Sequence, residues 1–580
     1  MRRNDEVARR LEEFADLLEA SDVEYKPRAY RRAAENIREH PVDIEELVGE
    51  GEKAVADIDR VGDAISSKVV EYIETGEIAE LAELRADLPV EMDALTSVEG
   101  VGPKTVGTLY DELGIRTLDD LEAAAEAGRI REVKGFGPKT EGNIREGIAF
   151  ARQAHERQLL GEALPRGERV REFLSGMEAV KRCALAGSLR RWRPTIGDVD
   201  VLAGSDEPDA VVEAFTNYQA ATDVIEAGTV KASIRVESVR VDLRVVDDAD
   251  FGAALQYFTG SKDHNVAVRN RAIERDLKVN EYGVFDVSGL SGEEADDQRA
   301  GERSAGETER GMYEALDMAW PEPELRENRG EVEAAASGEL PDLVTVEDVR
   351  GDLHVHTDWS DGNNTISEMV AGAAEFGHEY VCLTDHATGP GMVGGVGLDD
   401  DELREQLAEI RAVADDADID VFAGVEANVD IDGGISVGDD LLADLDVVVA
   451  SPHSGLDGDG TERLVAAAEH PGVDVIGHPT GRLLNSRAGM NIDVERLATV
   501  AADQGTALEI NADPRRLDLT GRLVKTAIDA GATVAVNTDA HAPANYGYVR
   551  YGVHTARRGW AEADDVLNTR EVDGLRSFLE

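Results

Sequence analysis

The stretch Ala186-Gly187-Ser188-Leu189-Arg190-Arg191-Trp192-Arg193-Pro194-Thr195-Ile196-Gly197-Asp198-Val199-Asp200-Val201-Leu202 decides the reading of this chain. Gly187-Ser188 lets a backbone come close to a phosphate, and the arginines that follow can neutralise one. Asp198 and Asp200 stand two apart in an apolar run, so as a strand both carboxylates face one side. Asp242, in the alternating run VRVDLRVV, can join them from a neighbouring strand. Three such carboxylates can hold two Mg2+ ions, one lowering the pKa of an attacking 3′-hydroxyl and the other steadying a leaving pyrophosphate. Asp-x-Asp is also a common exposed strand face in an aspartate-rich chain, and the preceding Gly-Ser and arginines favour the chemical reading.

Upstream, the sequence reads as helices. VARRLEEFADLLEA has apolar residues at helical spacing, and AYRRAAENIREH is a second helix ended by Pro41. Residues 97–115 and 132–148 are near-repeats, SVEGVGPKTVGTLYDELGI and EVKGFGPKTEGNIREGI, each a helix, a glycine turn and a helix. In such hairpins Gly-x-Gly leaves backbone N–H groups facing outward, where they can bind a phosphate without a cationic side chain. The candidate DNA contacts are Gly100, Gly102 and Lys104 in the first repeat and Gly135, Gly137 and Lys139 in the second. Val61-Gly62-Asp63-Ala64 is a weaker version, and Lys68 follows it on the next helix. Lys68 could form a Schiff base with an abasic sugar if its pKa were lowered; a solvated surface lysine is the plainer alternative.

Downstream of residue 350, short apolar strands alternate with helical stretches, the pattern of a parallel α/β domain. DLHVHTDWSDG places His354 and His356 on one strand face with Asp361 just beyond. Later strands end in Asp385-His386, Glu426, His453, His478, and Asp539 with His541; TALEIN carries Glu509 with no ligand at its end. Of about seven strands, six thus carry metal-type residues at or near the C-terminal edge, where barrel-type folds keep their sites. Nine imidazoles and carboxylates there can hold two or three transition-metal ions. His378, His470 and His554 match no such position and read as ordinary.

The net charge of −60 over 580 residues is spread through both halves, −32 in residues 1–350 and −28 beyond. Forty-nine of the 60 basic residues are arginine. An acidic, lysine-poor surface suits a cytosol of molar salt, where self-repulsion is screened within roughly 3 Å. The expectation is therefore halophilic adaptation, so that charge says little about the partner. No apolar run reaches the roughly 18 residues that span a bilayer, the start is charged rather than a secretion signal, and Cys183 and Cys382 suggest no disulfide framework. A cytoplasmic protein with no membrane contact is expected. Residues 289–345, rich in Gly, Glu, Ser and Pro, suggest a partly ordered connection.

GSLRR…TIGDVDVL, VDLRVV, YFTGS (Tyr257–Ser261) and VNEYGVF (Val279–Phe285) resemble the family X DNA polymerases related to polymerase β, over roughly residues 1–330. The resemblance implies that Asp198, Asp200 and Asp242 bind Mg2+ or Mn2+, and that Gly187, Ser188 and Arg191 meet the incoming triphosphate. Tyr257, Phe258 and Gly260 would line the sugar, Asn265 and Arg269 the nascent base pair and template. Lys68 matches the lyase lysine and Tyr30 a tyrosine of that pocket. Trp192 stands where glycine often follows the arginines, Ala64 where lyase-active relatives carry a second lysine, and Tyr25 where they carry histidine. Residues 350–560 resemble the PHP (polymerase and histidinol phosphatase) family. Its ligand pattern falls on His354, His356, Asp361, His386, Glu426, His453, His478, Asp539 and His541, implying Mn2+ and/or Zn2+, with Asp385 behind the ligands.

The expected architecture is multidomain: an all-α lyase-like region (1–88), helix-hairpin-helix (89–155), an α+β nucleotidyltransferase palm (156–260), thumb (261–325), linker (326–348), and an α/β distorted (β/α)7 PHP barrel (349–580). The expected function is a monomeric repair polymerase adding dNTPs at gapped or nicked DNA in base excision repair. Its barrel would be a Mn2+-dependent 3′→5′ exonuclease, with abasic-site endonuclease or 3′-phosphatase chemistry open to the same site. Two alternatives are a DNA-binding scaffold with decayed centres, and an untemplated nucleotidyltransferase joined to a phosphatase.

Overall fold

The computed structural model describes all residues except 1–2, 22, 24–25, 41, 59, 97, 99–100, 156, 238, 291–296 and 390–395. Tyr25, Pro41 and Gly100 lie outside the described residues. The chain forms two compact units, residues 1–157 with 485–488, and residues 158–484 with 489–580.

Among the described residues, positions 1–157 hold helices without strands. Val7, Leu11, Phe14 and Ile37 share one core with Val106, Leu109, Ile144 and Ile148, so the lyase-like and hairpin regions are packed as a single body. Three helices carry the glycine turns: α1 (Asp63–Thr75), α2 (Pro103–Leu113) and α3 (Pro138–His155). Proline at the start of α2 is at home there, because the first turn needs no N–H donor.

The second unit opens with a five-stranded sheet of β1 (Arg182–Leu185), β2 (Val199–Gly204), β3 (Ala221–Ala227), β4 (Lys231–Val236) and β5 (Val239–Val246), in the order β1-β2-β5-β4-β3. The run SIRVESVRVDLRVV, which reads as one stretch of strand, is a hairpin, turning at Glu237 with φ +56°. Only the β2–β5 pair is parallel among its neighbours, and it sets Asp200 opposite Asp242. Along β5 buried residues alternate with partly exposed ones, the half-buried pattern expected of a sheet with one face in the core.

Next come α4 (Phe251–Thr259) and α5 (Lys262–Ile273), then an antiparallel sheet of β6 (Leu277–Asn280), β7 (Gly283–Asp286) and β8 (Glu302–Ala305). The expectation of a linker over 326–348 is corrected here. Arg326 is fully buried, and α6 (Glu331–Ser337) packs Val332 and Ala335 into one core with Val268, Met312 and Tyr313. Polar composition hides this packing because the charged residues of the segment find partners outside it: Arg326 meets Glu309, Glu327 meets Arg191, and Glu331 meets His264.

The remainder is a seven-stranded parallel sheet in chain order: β9 (Gly351–Val355), β10 (Tyr380–Leu383), β11 (Asp420–Asn428), β12 (Val447–Ser451), β13 (Val475–Ile476), β14 (Ala507–Asn511) and β15 (Val534–Asn537). Val355 pairs with Ala540 beyond β15, so the sheet nearly closes into the expected (β/α)7 barrel. The strands are buried along almost their whole length, as parallel strands covered by helices must be. Helix α7 (Val549–Arg558) packs outside β14 and β15.

Candidate functional site

On the palm sheet, ligand oxygens of Asp198, Asp200 and Asp242 lie within 4.8 Å of one another. Burial, then the charges of Asp198 and Asp242, push Asp200 up to about 7. A crowded carboxylate set with more negative charge than its neighbours balance is the donor chemistry that hard divalent cations relieve. Arg240 donates to Asp242 at 2.8 Å. Gly187 has φ +62°, and a Cβ there would sit 1.9 Å from Asp200 Oδ2, so glycine is required by the triad itself as well as by any phosphate. Ser188 follows it on a one-turn helix, partly exposed.

Arg190 points away from this face. It clasps Glu309 through both nitrogens at 2.7 and 2.8 Å, and the buried Arg326 reaches the same carboxylate at 2.6 Å. Arg191 lies beside the triad, donates to the Thr259 carbonyl, and pairs with Glu327 at 3.2 Å. Tyr257 and Phe258 end α4 with rings edge-to-face at 5.2 Å. Gly260 follows at φ +68°, where a Cβ would come 3.1 Å from Arg191 Nη1. Asn265 Nδ2 donates to the Tyr257 carbonyl at 2.7 Å, fixing α5 against the end of α4. Arg191, Tyr257, Gly260 and Asn265 are thus brought together, while Arg269, one turn further along α5, is exposed. Glu309, Arg326 and Glu327 were not foreseen, since they fall in or next to the stretch whose composition suggested a connection.

At the C-terminal edge of the barrel the histidines and carboxylates meet. Three groups have ligand atoms within 4.8 Å: His356, Asp361, His386 and His541; His354, His356 and Glu426; His386, Glu426 and His453. Asp539 joins through His356 at 3.1 Å, and His478 through Glu426 at 3.0 Å. Ring nitrogens of His354, His356, His386 and His453 are buried and lack a hydrogen-bond partner, although carboxylate oxygens lie 2.6–3.7 Å away. Unpartnered buried ring nitrogens cost about 1–3 kcal/mol each, and a set of them with free lone pairs fits bound cations. Burial raises Glu426, yet the neighbouring His386, His453 and His354 hold it well below the usual carboxylate range. His478 and Asp539 adopt positive φ (+25° and +55°), strain of the kind found at functional positions.

Behind these groups stands Glu509, which the sequence left without a role. It takes the Nδ1 side of His354 at 2.7 Å and the His478 amide at 2.6 Å, so it orients two of the set. Asn428 Oδ1 meets His453 Nδ1 at 2.7 Å. Asp385 touches none of the rings; it accepts from Thr357 N and Oγ1 at 2.8 and 2.7 Å and shapes the loop leading to Asp361. Arg516 Nε lies 3.6 Å from Asp539, a cation at the rim that the pattern of histidines did not reveal. His378 packs on Phe376 and Tyr546, pushed down to about 4 by burial, and His470 lies near Asp439, both as expected. His554 stacks on Trp192.

In the helical unit, Gly62 and Gly102 open α1 and α2 with the same extended backbone (φ −80°, ψ 172° and φ −79°, ψ 172°). A Cβ at Gly102 or Gly137 would meet nothing within 4 Å, so no neighbour in the protein demands glycine there; Gly135, at φ +97°, needs it for its own backbone. Lys104 and Lys139 are exposed. Burial lowers Lys68, but Glu80 at 2.6 Å and the nearby Tyr30 raise it above the usual lysine value, the opposite of what a Schiff-base amine needs.

Fold and sites together define a two-centre protein for phosphoryl chemistry, with DNA-type hairpins on a separate body. Residues 254–327 match the DNA polymerase beta thumb, 2–78 a helix-hairpin-helix domain, 92–149 a SAM-like helix-hairpin-helix tandem, and 352–513 the PHP domain. The DNA polymerase/3′-5′ exonuclease PolX of Bacillus subtilis is 33% identical over 99% of both chains. A probable phosphatase of Thermoanaerobacter sp. is 28% identical over 40% of this chain and 94% of its own, and one of Caldicellulosiruptor bescii 32% identical over 34% and 81%. The chain belongs to the family X DNA polymerases that carry a PHP domain. Among the described residues, no helix is long and apolar enough to cross a membrane.

Proposed function

We propose that this protein fills short gaps in DNA by adding dNTPs to a primer 3′-end, and that its barrel trims 3′-ends as a Mn2+-dependent exonuclease, in base excision repair. The observation that carries the reading is the acidic triad set beside Arg191 in a chain similar to PolX along its whole length. In this reading Asp198, Asp200 and Asp242 hold Mg2+ or Mn2+, which would lower the pKa of the 3′-hydroxyl and offset charge on the leaving pyrophosphate. Gly187 and Ser188 let the triphosphate approach, Arg191 neutralises it, and Tyr257, Phe258 and Gly260 close on the sugar so that a 2′-hydroxyl is refused. Asn265 and Arg269 face the nascent pair and template. The amides at Gly102 and Gly137, with Lys104 and Lys139, grip backbone phosphates despite the net charge of −60.

In the barrel, the nine residues from His354 to His541 would hold two to three Mn2+ and/or Zn2+ ions, whose chemistry when bound would be activation of water at neutral pH against a phosphoester. Glu509 keeps His354 in one orientation, and Arg516 offers charge to the scissile phosphate. Similarity to probable phosphatases supports phosphatase chemistry at this site, here on a 3′-phosphate, and abasic-site endonuclease chemistry is open to the same residues. The protein works as a cytoplasmic monomer in a salty cell, and Lys68, paired with Glu80, is a poor lyase nucleophile. Extension of a primer across a short gap with dNTPs or NTPs, and Mn2+-dependent loss of 3′-nucleotides, test the reading. Equal use of NTPs, or extension independent of template, would favour an untemplated transferase.

A further inference from the structure

The palm loop after Gly187 is held from outside the palm. Trp192 has φ +52°, a conformation that a bulky L residue keeps only where its surroundings over-determine it. What surrounds it is α7 of the barrel. The Trp192 and His554 rings stack at 3.5 Å and 7°, Tyr551 meets Trp192 edge-on at 6.1 Å, and Arg550 lies 5.7 Å over its face. His554 is itself fixed by Glu324 at 2.6 Å, which Arg557 also reaches at 2.7 Å.

At the end of α7, Arg558 is 7% exposed and does two things. It donates to the Arg191 carbonyl, and it pairs with Glu327 at 3.3 Å. Glu327 is also the partner of Arg191 and Arg193, both at 3.2 Å. One carboxylate therefore serves three arginines. Without Arg558, Glu327 would be shared by Arg191 and Arg193 alone and would hold the Arg191 guanidinium more strongly. With Arg558 in place the Glu327 charge is divided among three guanidinium groups, and Arg191 also donates to the Thr259 carbonyl beside the Gly260 turn.

We propose that Arg558, on the barrel, is a positioning residue for the polymerase centre: it fixes the Arg191 backbone and offsets Glu327, so that the Arg191 side chain meets the dNTP triphosphate. This rests on the reading of Arg191 as the residue that meets the triphosphate. The C-terminal domain is then a structural part of the nucleotide site, beyond any chemistry of its own.

The test is steady-state primer extension on gapped DNA by the full-length chain with dNTP varied, for wild type, Arg191→Ala, Arg558→Gln, Arg558→Lys and the Arg191→Ala/Arg558→Gln double variant, with a melting curve for each. Arg558→Gln should raise the dNTP KM about tenfold with kcat within about twofold, the scale of removing one charge-assisted hydrogen bond that serves ground state and transition state alike. It should add nothing further in the Arg191→Ala background, and Arg558→Lys should recover part of the loss. A wild-type KM in Arg558→Gln, with KM raised in Arg191→Ala, would overturn the proposal and leave the reading of Arg191 standing. Additive effects in the double variant would also overturn it, as a merely structural role. An unchanged KM in Arg191→Ala would remove that reading and the proposal together. If Arg558→Gln does not fold, Arg558→Lys in the two backgrounds carries the same comparison.

Discussion

Gly187 shows how a single residue serves packing and chemistry at once. Its missing Cβ makes room for Asp200 Oδ2, and its φ of +62° suits no other residue well. Gly187→Ala should cost about 100-fold or more in primer extension, the scale of a misplacement near 1 Å, while a single-turnover assay checks that the loss lies in the chemical step. Asp200 carries a pH prediction. In the metal-free fold it is pushed up to about 7, above its ordinary value near 4 when unfolded. Between those values the folded state holds the extra proton, so stability falls as pH rises from about 4 to about 7. Melting in chelator should show this decline in wild type and a shallower one in Asp200→Asn; identical slopes would contradict the crowded triad. In the barrel, Glu509→Gln should lower metal affinity about 10- to 100-fold, because it loosens His354 without removing a ligand. Metal content after dialysis against graded free Mn2+ reads this out.

Among the elements, the segment from β8 to α6 separates what the sequence discloses from what it hides. Asp198, Asp200, Asp242 and the barrel histidines were legible because their chemistry is tied to short-range pattern: carboxylates two apart on a strand, and rings at strand ends. Glu309, Arg326 and Glu327 were not, because their role arises from partners 119 to 136 residues away or from burial that a Gly- and Glu-rich composition conceals. Likewise Glu509 is an ordinary strand residue until β14 is seen beside β13 and β15, and His554 and Trp192 gain meaning only when α7 meets the palm loop. The Arg190–Glu309–Arg326 cluster makes the point testable. Glu309→Gln leaves the buried Arg326 and the partly buried Arg190 short of their counter-charge and should destabilise the second unit by about 3–5 kcal/mol. A drop in melting temperature comparable to a surface substitution would show that the cluster is not a closed pair network.

At the scale of the whole molecule, the charge of −60 requires screening, and the melting temperature should rise as KCl increases from about 0.1 M to about 2 M, where the Debye length shrinks to a few ångströms. No salt dependence would remove the halophilic reading. The central claim is that one chain holds two separate phosphoryl-chemistry centres, the triad of Asp198 just ahead of β2, Asp200 on β2 and Asp242 on β5, and the cup on the barrel. The most direct measurement takes Asp198→Ala with Asp200→Ala, and separately His354→Ala, and assays gapped-DNA extension and Mn2+-dependent 3′-end removal on each preparation. The account predicts that the first variant loses extension and keeps end removal, and that the second does the reverse. Loss of both activities in either folded variant would contradict it.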